Sequence, residues 1–354
     1  MSIFHWIAFA ISALIFAASV FTVLHHVAFG LAKTNLNDRY VWGLNIQGFF
    51  VLSSVAGGIL AVISAFIIFG VEYPVEVFEL AAAVAFSCLL SAMMLMGADL
   101  GRPFRVYKII TGRNLSSPLT IDFLCVASLA ALSFIFMFGI FMNIYELLRL
   151  WAYASLFFVV VCLLAHVMMF MLTSRSAHRV KSFDALVTVS SSIWAGTAAV
   201  SILALSTEYR GILLSSLLVI TIIVFAIQVG CIVGSSFAGQ KPHNLIFIGM
   251  SFIVLIFLAG RGIIINDLWI AEAAICVLVI AAVTFEKFEM VMSFQKGSAL
   301  PLPYSMYDRV KPYRPSFSEV GNMIAGVSFV VAATYAVIIV RTYILPFIIR
   351  LLNS

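Results

Sequence analysis

Nine stretches of the sequence run for 19 to 32 residues without a single Asp, Glu, Lys or Arg, at 6–32, 40–71, 80–98, 123–145, 150–174, 185–207, 211–240, 242–260 and 320–340. A bilayer's hydrocarbon core is about 30 Å thick and takes roughly 20 helical residues to cross. Each stretch is therefore predicted to be a transmembrane helix. A tenth, at 268–285, carries Glu272 near its start. It is read as crossing because the basic loop after it then falls on the same side as its counterparts. Hydrophobic residues make up 64% of the 354 positions and charged residues 10%. No segment is polar enough to form a separate soluble unit.

The expectation is an all-α polytopic membrane protein of ten transmembrane helices in one integral domain spanning 1–354. Helix 1 lies at about 4–31, a loop at 292–317 and helix 10 at about 318–348. Helices 2 and 6 each carry a small-residue cluster, Ala56-Gly57-Gly58 and Ala195-Gly196-Thr197-Ala198-Ala199, of the kind that lets helix backbones approach in lipid. The clusters lie four helices apart. They suggest two four-helix bundles, helices 2–5 at about 40–174 and helices 6–9 at about 184–291, flanked by helices 1 and 10. Ordinary small-residue packing without a repeat is the alternative.

Fifteen of the twenty Lys and Arg residues fall in odd-numbered connections, among them Arg102, Arg105, Lys108, Arg113, Lys287 and Lys296. The positive-inside rule then predicts cytoplasmic odd loops and external termini. Met1 to His5 offers no basic stretch before the first apolar run, so helix 1 is expected to be retained. The net charge of +5 needs no nucleic-acid partner to explain it. The five cysteines stand singly with no CxxC spacing, so no metal site or iron–sulfur cluster is expected in this chain.

Polar groups inside a bilayer are costly and mark functional interiors. They gather at the odd-loop face: Asn45 and Gln47 open helix 2, His166 lies near the end of helix 5, and Asp99 and Asp122 bracket the loop between helices 3 and 4. Asn45 and His166 sit within about two turns of their helix ends, just below the interface. A quinone headgroup fits such donors, and imidazole can exchange a proton with it. Interhelical hydrogen bonding is the plainer reading of the same residues. Glu286 and Glu289 on helix 9 and Asp184 on helix 6 are candidates for a proton path, with helix-end charges facing water as the alternative.

The run Ala98-Asp99-Leu100-Gly101-Arg102-Pro103-Phe104-Arg105, followed by Arg113-Asn114-Leu115-Ser116-Ser117-Pro118, is the most specific pattern in the chain. Gly101 and Pro103 break a helix and Pro118 restarts one. At these residues, at Trp42-Gly43 with Ala56-Gly57-Gly58, and at Tyr313-Arg314-Pro315-Ser316-Phe317-Ser318-Glu319, the chain resembles the NrfD-like family of polysulfide-reductase membrane subunits, in its ten-helix variety.

The resemblance implies a heme-free anchor in a prokaryotic cytoplasmic membrane. Such an anchor exchanges electrons between a mobile quinone (menaquinone or ubiquinone) and a partner iron–sulfur subunit. Beyond that partner lies a molybdopterin or hydrogenase-type catalytic subunit. It implies a quinone pocket at Asn45, Gln47, His166, Asp99 and Asp122, under a docking loop with Arg102, Arg105 and Arg113. The chain departs from the family in placing Phe49 about where a histidine is familiar. It departs again in its charge count, because many relatives dock their partner outside.

Two other functions remain open. A heme b anchor would pair His25 or His26 with His166, and a secondary transporter would use polar groups at the midplane, where Gln228 lies.

Overall fold

A chain with no water around it must satisfy every backbone N–H and C=O internally, and successive charge-free runs can do this only as helices. The computed structural model describes residues 3–37, 40–71, 75–100, 107–112, 117–141, 144, 147–173, 182–237, 245–264, 269–295 and 313–344. These form α1 (Ile3–Phe29), α2 (Leu44–Phe69), α3 (Val75–Asp99), a short α4 (Tyr107–Thr111), α5 (Pro118–Phe141), α6 (Leu148–Thr173), α7 (Ser182–Leu203), α8 (Arg210–Phe237), α9 (Leu245–Ile264), α10 (Trp269–Gln295) and α11 (Phe317–Ile339). The last continues as a π-turn over Val340–Ile344.

The protein is an all-helical, multi-pass membrane protein. Among the described residues nine helices are long and apolar enough to cross a membrane. The short one is α9, whose apolar part is Leu245–Gly260. The segment with Glu272, the weakest span by sequence, is a full-length one. Its carboxylate is buried and paired with Arg210 at the start of α8, so the charge is neutralised inside the fold.

Helices α2, α3, α5 and α6 close a ring in which each packs on the next, and α7, α8, α9 and α10 close a second. The rings meet along α2 and α7. The small-residue clusters noted in the sequence lie at this contact and permit it. A Cβ on Gly58 would overlap the Ser192 carbonyl oxygen, and a Cβ on Gly196 would overlap the backbone of Gly58. Backbone lies on backbone here. Helices α1 and α11 flank the first ring on one side. They pair with each other and lean together on α3.

This arrangement makes α2 the central helix, with 78% of its apolar window buried, against 11% for α1, which presents Ile11, Leu14, Phe21 and Leu24 to lipid. Side chains on α2 therefore face protein on nearly every side. The helix ends at Gly70, whose φ of 65° is a left-handed cap that a residue with a Cβ adopts only at a cost.

Candidate functional site

Three residues eight positions apart in total, Asn45, Phe49 and Ser53, climb one side of α2 over about 12 Å. Each end of this row meets a different polar cluster. The five residues expected to form one pocket are thus divided between two.

The deeper cluster joins α2, α5 and α6. His166 Nε2 lies 3.0 Å from Asp122 Oδ1, and both side chains are almost wholly buried. The Ser53 hydroxyl is 3.4 Å from the same nitrogen, and the Cys162 thiol donates to Asp122 Oδ1 at 3.7 Å. Phe49 and Phe50 set their rings edge-on to the imidazole, with centroids 5.8 and 5.0 Å away. Phe49 thus walls the histidine that α6 supplies.

In the tautomer that donates Nε2–H to the carboxylate, the His166 ring presents Nδ1 as an acceptor. That atom and Asp122 Oδ2 are buried and make no hydrogen bond among the described residues. Buried polar atoms are almost always paired, so two such atoms in one cluster make it a candidate site.

The shallower cluster joins α1, α2, α3 and α11. Asn322 Nδ2 donates to Asn45 Oδ1 at 3.2 Å and to His26 Nδ1 at 3.0 Å, while His26 Nε2 meets the Ser318 hydroxyl at 2.8 Å. Both ring nitrogens of His26 are thus engaged by α11, not turned toward His166. Asp99, the last residue of α3, lies against the Asn45 amide. Gln47 is buried on the same turn of α2.

The start of α11 explains how this end of α2 is held. Ser316 caps α11 and receives the Glu319 N–H, while the Glu319 carboxylate accepts from the Ser316 N–H at 2.9 Å. This is a capping box. The same carboxylate accepts from the Tyr313 hydroxyl, which in turn accepts the Leu44 N–H at 2.8 Å. Burial, and then the bond to Glu319, holds the Tyr313 phenol well above the usual tyrosine range, so it stays a donor. From the other side Gln295 clamps the backbone of Trp42, accepting its N–H at 2.8 Å and donating to its C=O at 2.9 Å. Asn322 was not foreseen; His26 was named only as a heme-ligand candidate, and Tyr313 and Glu319 only as part of a motif. The spacing Ser316-x-x-Glu319 signals the cap, but the partners come from helices almost 300 residues apart.

The proton-path candidates separate. Glu286 is buried and pairs at 2.9 Å with Lys287, which the sequence had placed in a loop. Helix α10 runs on to Gln295 and carries Lys287 inside, where its ammonium also reaches Ser191 Oγ at 3.1 Å. One basic residue thus leaves the odd-loop count. Glu289 is half-buried one turn on, and Asp184 falls in the first turn of α7. Arg102, Arg105 and Arg113 lie outside the described residues.

Removing one member of a buried ion pair typically costs about 3–5 kcal/mol. Lys287→Met is expected to lower the melting temperature in detergent, and Glu286→Gln added to it to recover much of the loss. An unchanged melt for the single variant would show that the pair is hydrated.

The opposite membrane face has chemistry of its own. Arg341, in the π-turn, bonds Glu79 at 3.0 Å and borders a cavity of about 420 Å³ with Glu76 and His5. Gln228 of α8 accepts the Ser251 hydroxyl at 3.0 Å and ties α8 to α9.

Comparison with curated proteins adds one observation. The chain is 31% identical over 104 residues to a "Putative dimethyl sulfoxide reductase membrane subunit" of Halobacterium salinarum. It is similar to a reductase membrane subunit. The match covers 29% of this chain and spans about a quarter (24%) of that relative's length. No family model matches the chain.

Proposed function

We propose that this protein is the quinone-reactive membrane anchor of a reductase complex, of the NrfD-like kind, passing electrons between membrane quinone and a partner iron–sulfur subunit. The observation that carries the reading is the His166–Asp122 pair, buried at 3.0 Å in an aromatic wall with an acceptor nitrogen turned toward no protein donor among the described residues. The partial likeness to a dimethyl sulfoxide reductase membrane subunit supports the role of anchor.

Oxidation of a quinol releases two electrons and two protons. In this reading His166 Nδ1 takes the proton of one hydroxyl, and Asp122 stabilises the imidazolium through its bond to Nε2, as a carboxylate does behind a general-base histidine. The second proton leaves toward the odd-loop face, where Asn45 and Asp99 lie. The two electrons go to the partner's nearest cluster, and quinone reduction runs the same steps backwards. Seven residues separate His166 from the end of α6, or about 10 Å, so a headgroup here lies close below the odd-loop face.

The deciding experiment is quinol-linked turnover in His166→Leu and Asn45→Leu chains that still co-purify with the partner. Wild-type turnover in both overturns the pocket.

Docking falls to the odd loops. Reversing Arg102 and Arg105 to Glu is expected to weaken partner binding in a salt-dependent way, because exposed charges are screened beyond about 8–10 Å at physiological ionic strength. Retention of the complex at all salt concentrations after both reversals overturns the docking assignment.

A further inference from the structure

Beside the histidine–carboxylate pair lies a thiol that quinone chemistry does not use. Cys162 stands one turn before His166 on α6, so both face the same side, and α5 brings Asp122 to meet them. Cys162 Sγ is 3.7 Å from Asp122 Oδ1 and 3.9 Å from His166 Nε2, and the remaining edge of the triangle is 3.0 Å. All three side chains are buried. We propose that Asp122, Cys162 and His166 form a reversible Zn²⁺ site whose occupancy blocks the quinone reaction.

The geometry suits the ion. Zinc binds nitrogen and oxygen at about 2.0–2.2 Å and thiolate at about 2.3 Å, so a tetrahedral centre sets its ligand atoms roughly 3.3–3.6 Å apart. The three edges bracket that range, and shifts of a few tenths of an ångström close them on the metal. Ser53 Oγ lies 3.4 Å from the imidazole nitrogen and donates to the Phe49 carbonyl.

Charge balance argues in the same direction. Binding displaces the thiol proton and moves the imidazole proton from Nε2 to Nδ1. Zn²⁺ then sits between one thiolate, one carboxylate and a neutral imidazole, and the site has no net charge. A low-dielectric interior penalises any other total. Asp122 lies four residues from the start of α5, about 6 Å along the axis, so the ion reaches it from the odd-loop face.

The blocking follows from the quinone reading, on which this inference rests. A metal on Nε2 leaves a proton on Nδ1, so His166 can no longer accept one from a quinol. Asp122, bound to the metal, can no longer stabilise an imidazolium. Both effects lift when a chelator removes the ion.

The test uses Co²⁺ and Zn²⁺ on the purified chain and on the complex in membranes. Wild-type protein is expected to bind one Co²⁺ with a thiolate-to-metal band in the near ultraviolet. Zn²⁺ is expected to lower quinol-linked turnover at least about tenfold, reversibly with EDTA. Cys162→Ser is expected to lose the band, and to raise the Zn²⁺ concentration for half-inhibition by about 10–100-fold, the range over which even indirect ligand support acts. Its turnover without metal should persist.

A Co²⁺ spectrum without the thiolate band, or no binding at all, overturns the site. So does a Cys162→Ser chain with unchanged metal sensitivity. Binding that leaves turnover untouched, or raises it, overturns the blocking role. None of these results touches the quinone reading, which is tested separately by the turnover of His166→Leu and Asn45→Leu.

Discussion

Replacing His166 with Leu is expected to lower quinol-linked turnover by about 10²–10⁴-fold, the contribution typical of a positioned acid–base group, while the partner still co-purifies. The size of the effect comes from what surrounds the ring. His166 has its Nε2 fixed by Asp122 and the rings of Phe49 and Phe50 edge-on beside it, so the imidazole is held in place for proton transfer at Nδ1. Leucine keeps most of the side-chain volume and needs no hydrogen bond, so the packing of α6 against α2 should survive. It leaves the Asp122 carboxylate without its imidazole, however, and some loss of stability accompanies the loss of turnover. Asp122→Asn separates the two effects. The amide retains a hydrogen bond to the ring but cannot balance an imidazolium, so turnover should fall with little change in the melt. Normal turnover in Asp122→Asn would mean that the ring works without its carboxylate, and the proton-transfer role assigned to the pair would be wrong.

The spans were legible because the bilayer imposes a one-dimensional rule, about 20 apolar residues per crossing, which needs no knowledge of neighbours. Glu272 strained that rule only because its compensation by Arg210 comes from 62 residues away. Lys287 misled for a related reason. A lysine after a long apolar run looks like the end of a span, although the adjacent Glu286 offers the charge it needs to stay inside. The residue types of the site were legible from their cost in lipid, which singled out Asn45, His166, Asp99 and Asp122.

Their grouping was not, since register around α2 decides it. Asn45 faces α11 and Asp99, while Ser53 eight residues on faces α6. The histidine that α1 adds, His26, and its partner Asn322 are 296 positions apart, and no local pattern announces them. The spacing Cys162-x-x-x-His166 was visible, yet it becomes a three-ligand set only when α5 delivers Asp122.

The α2–α7 seam is where sequence and packing agree most closely, and it carries the sharpest expectation about stability. Gly57 and Gly58 are adjacent in the sequence but face different surroundings. A Cβ on Gly57 meets nothing nearer than Val159 at 3.8 Å, an ordinary contact, whereas a Cβ on Gly58 falls on the backbone of Ser192. A flexible side chain can turn aside, but a helix backbone cannot. Gly57→Ala should therefore be nearly neutral, while Gly58→Ala forces the two bundles apart and costs at least the upper part of the roughly 1–3 kcal/mol typical of overpacking. Gly196→Ala should behave like Gly58→Ala, because its Cβ would fall on Gly58 itself. Thermal melting in detergent measures the difference directly. The same separation reaches the site, because α2 carries Asn45, Phe49 and Ser53 on a rod whose opposite side rests on α7. A shift of α2 by a methyl's width moves Ser53 and the aromatic wall relative to His166. Gly58→Ala is therefore expected to reduce quinol-linked turnover in the fraction that remains folded, without altering any residue of the pocket. Equal melting of Gly57→Ala and Gly58→Ala would show that α2 and α7 are not in backbone contact, and would remove the seam as the support of the site.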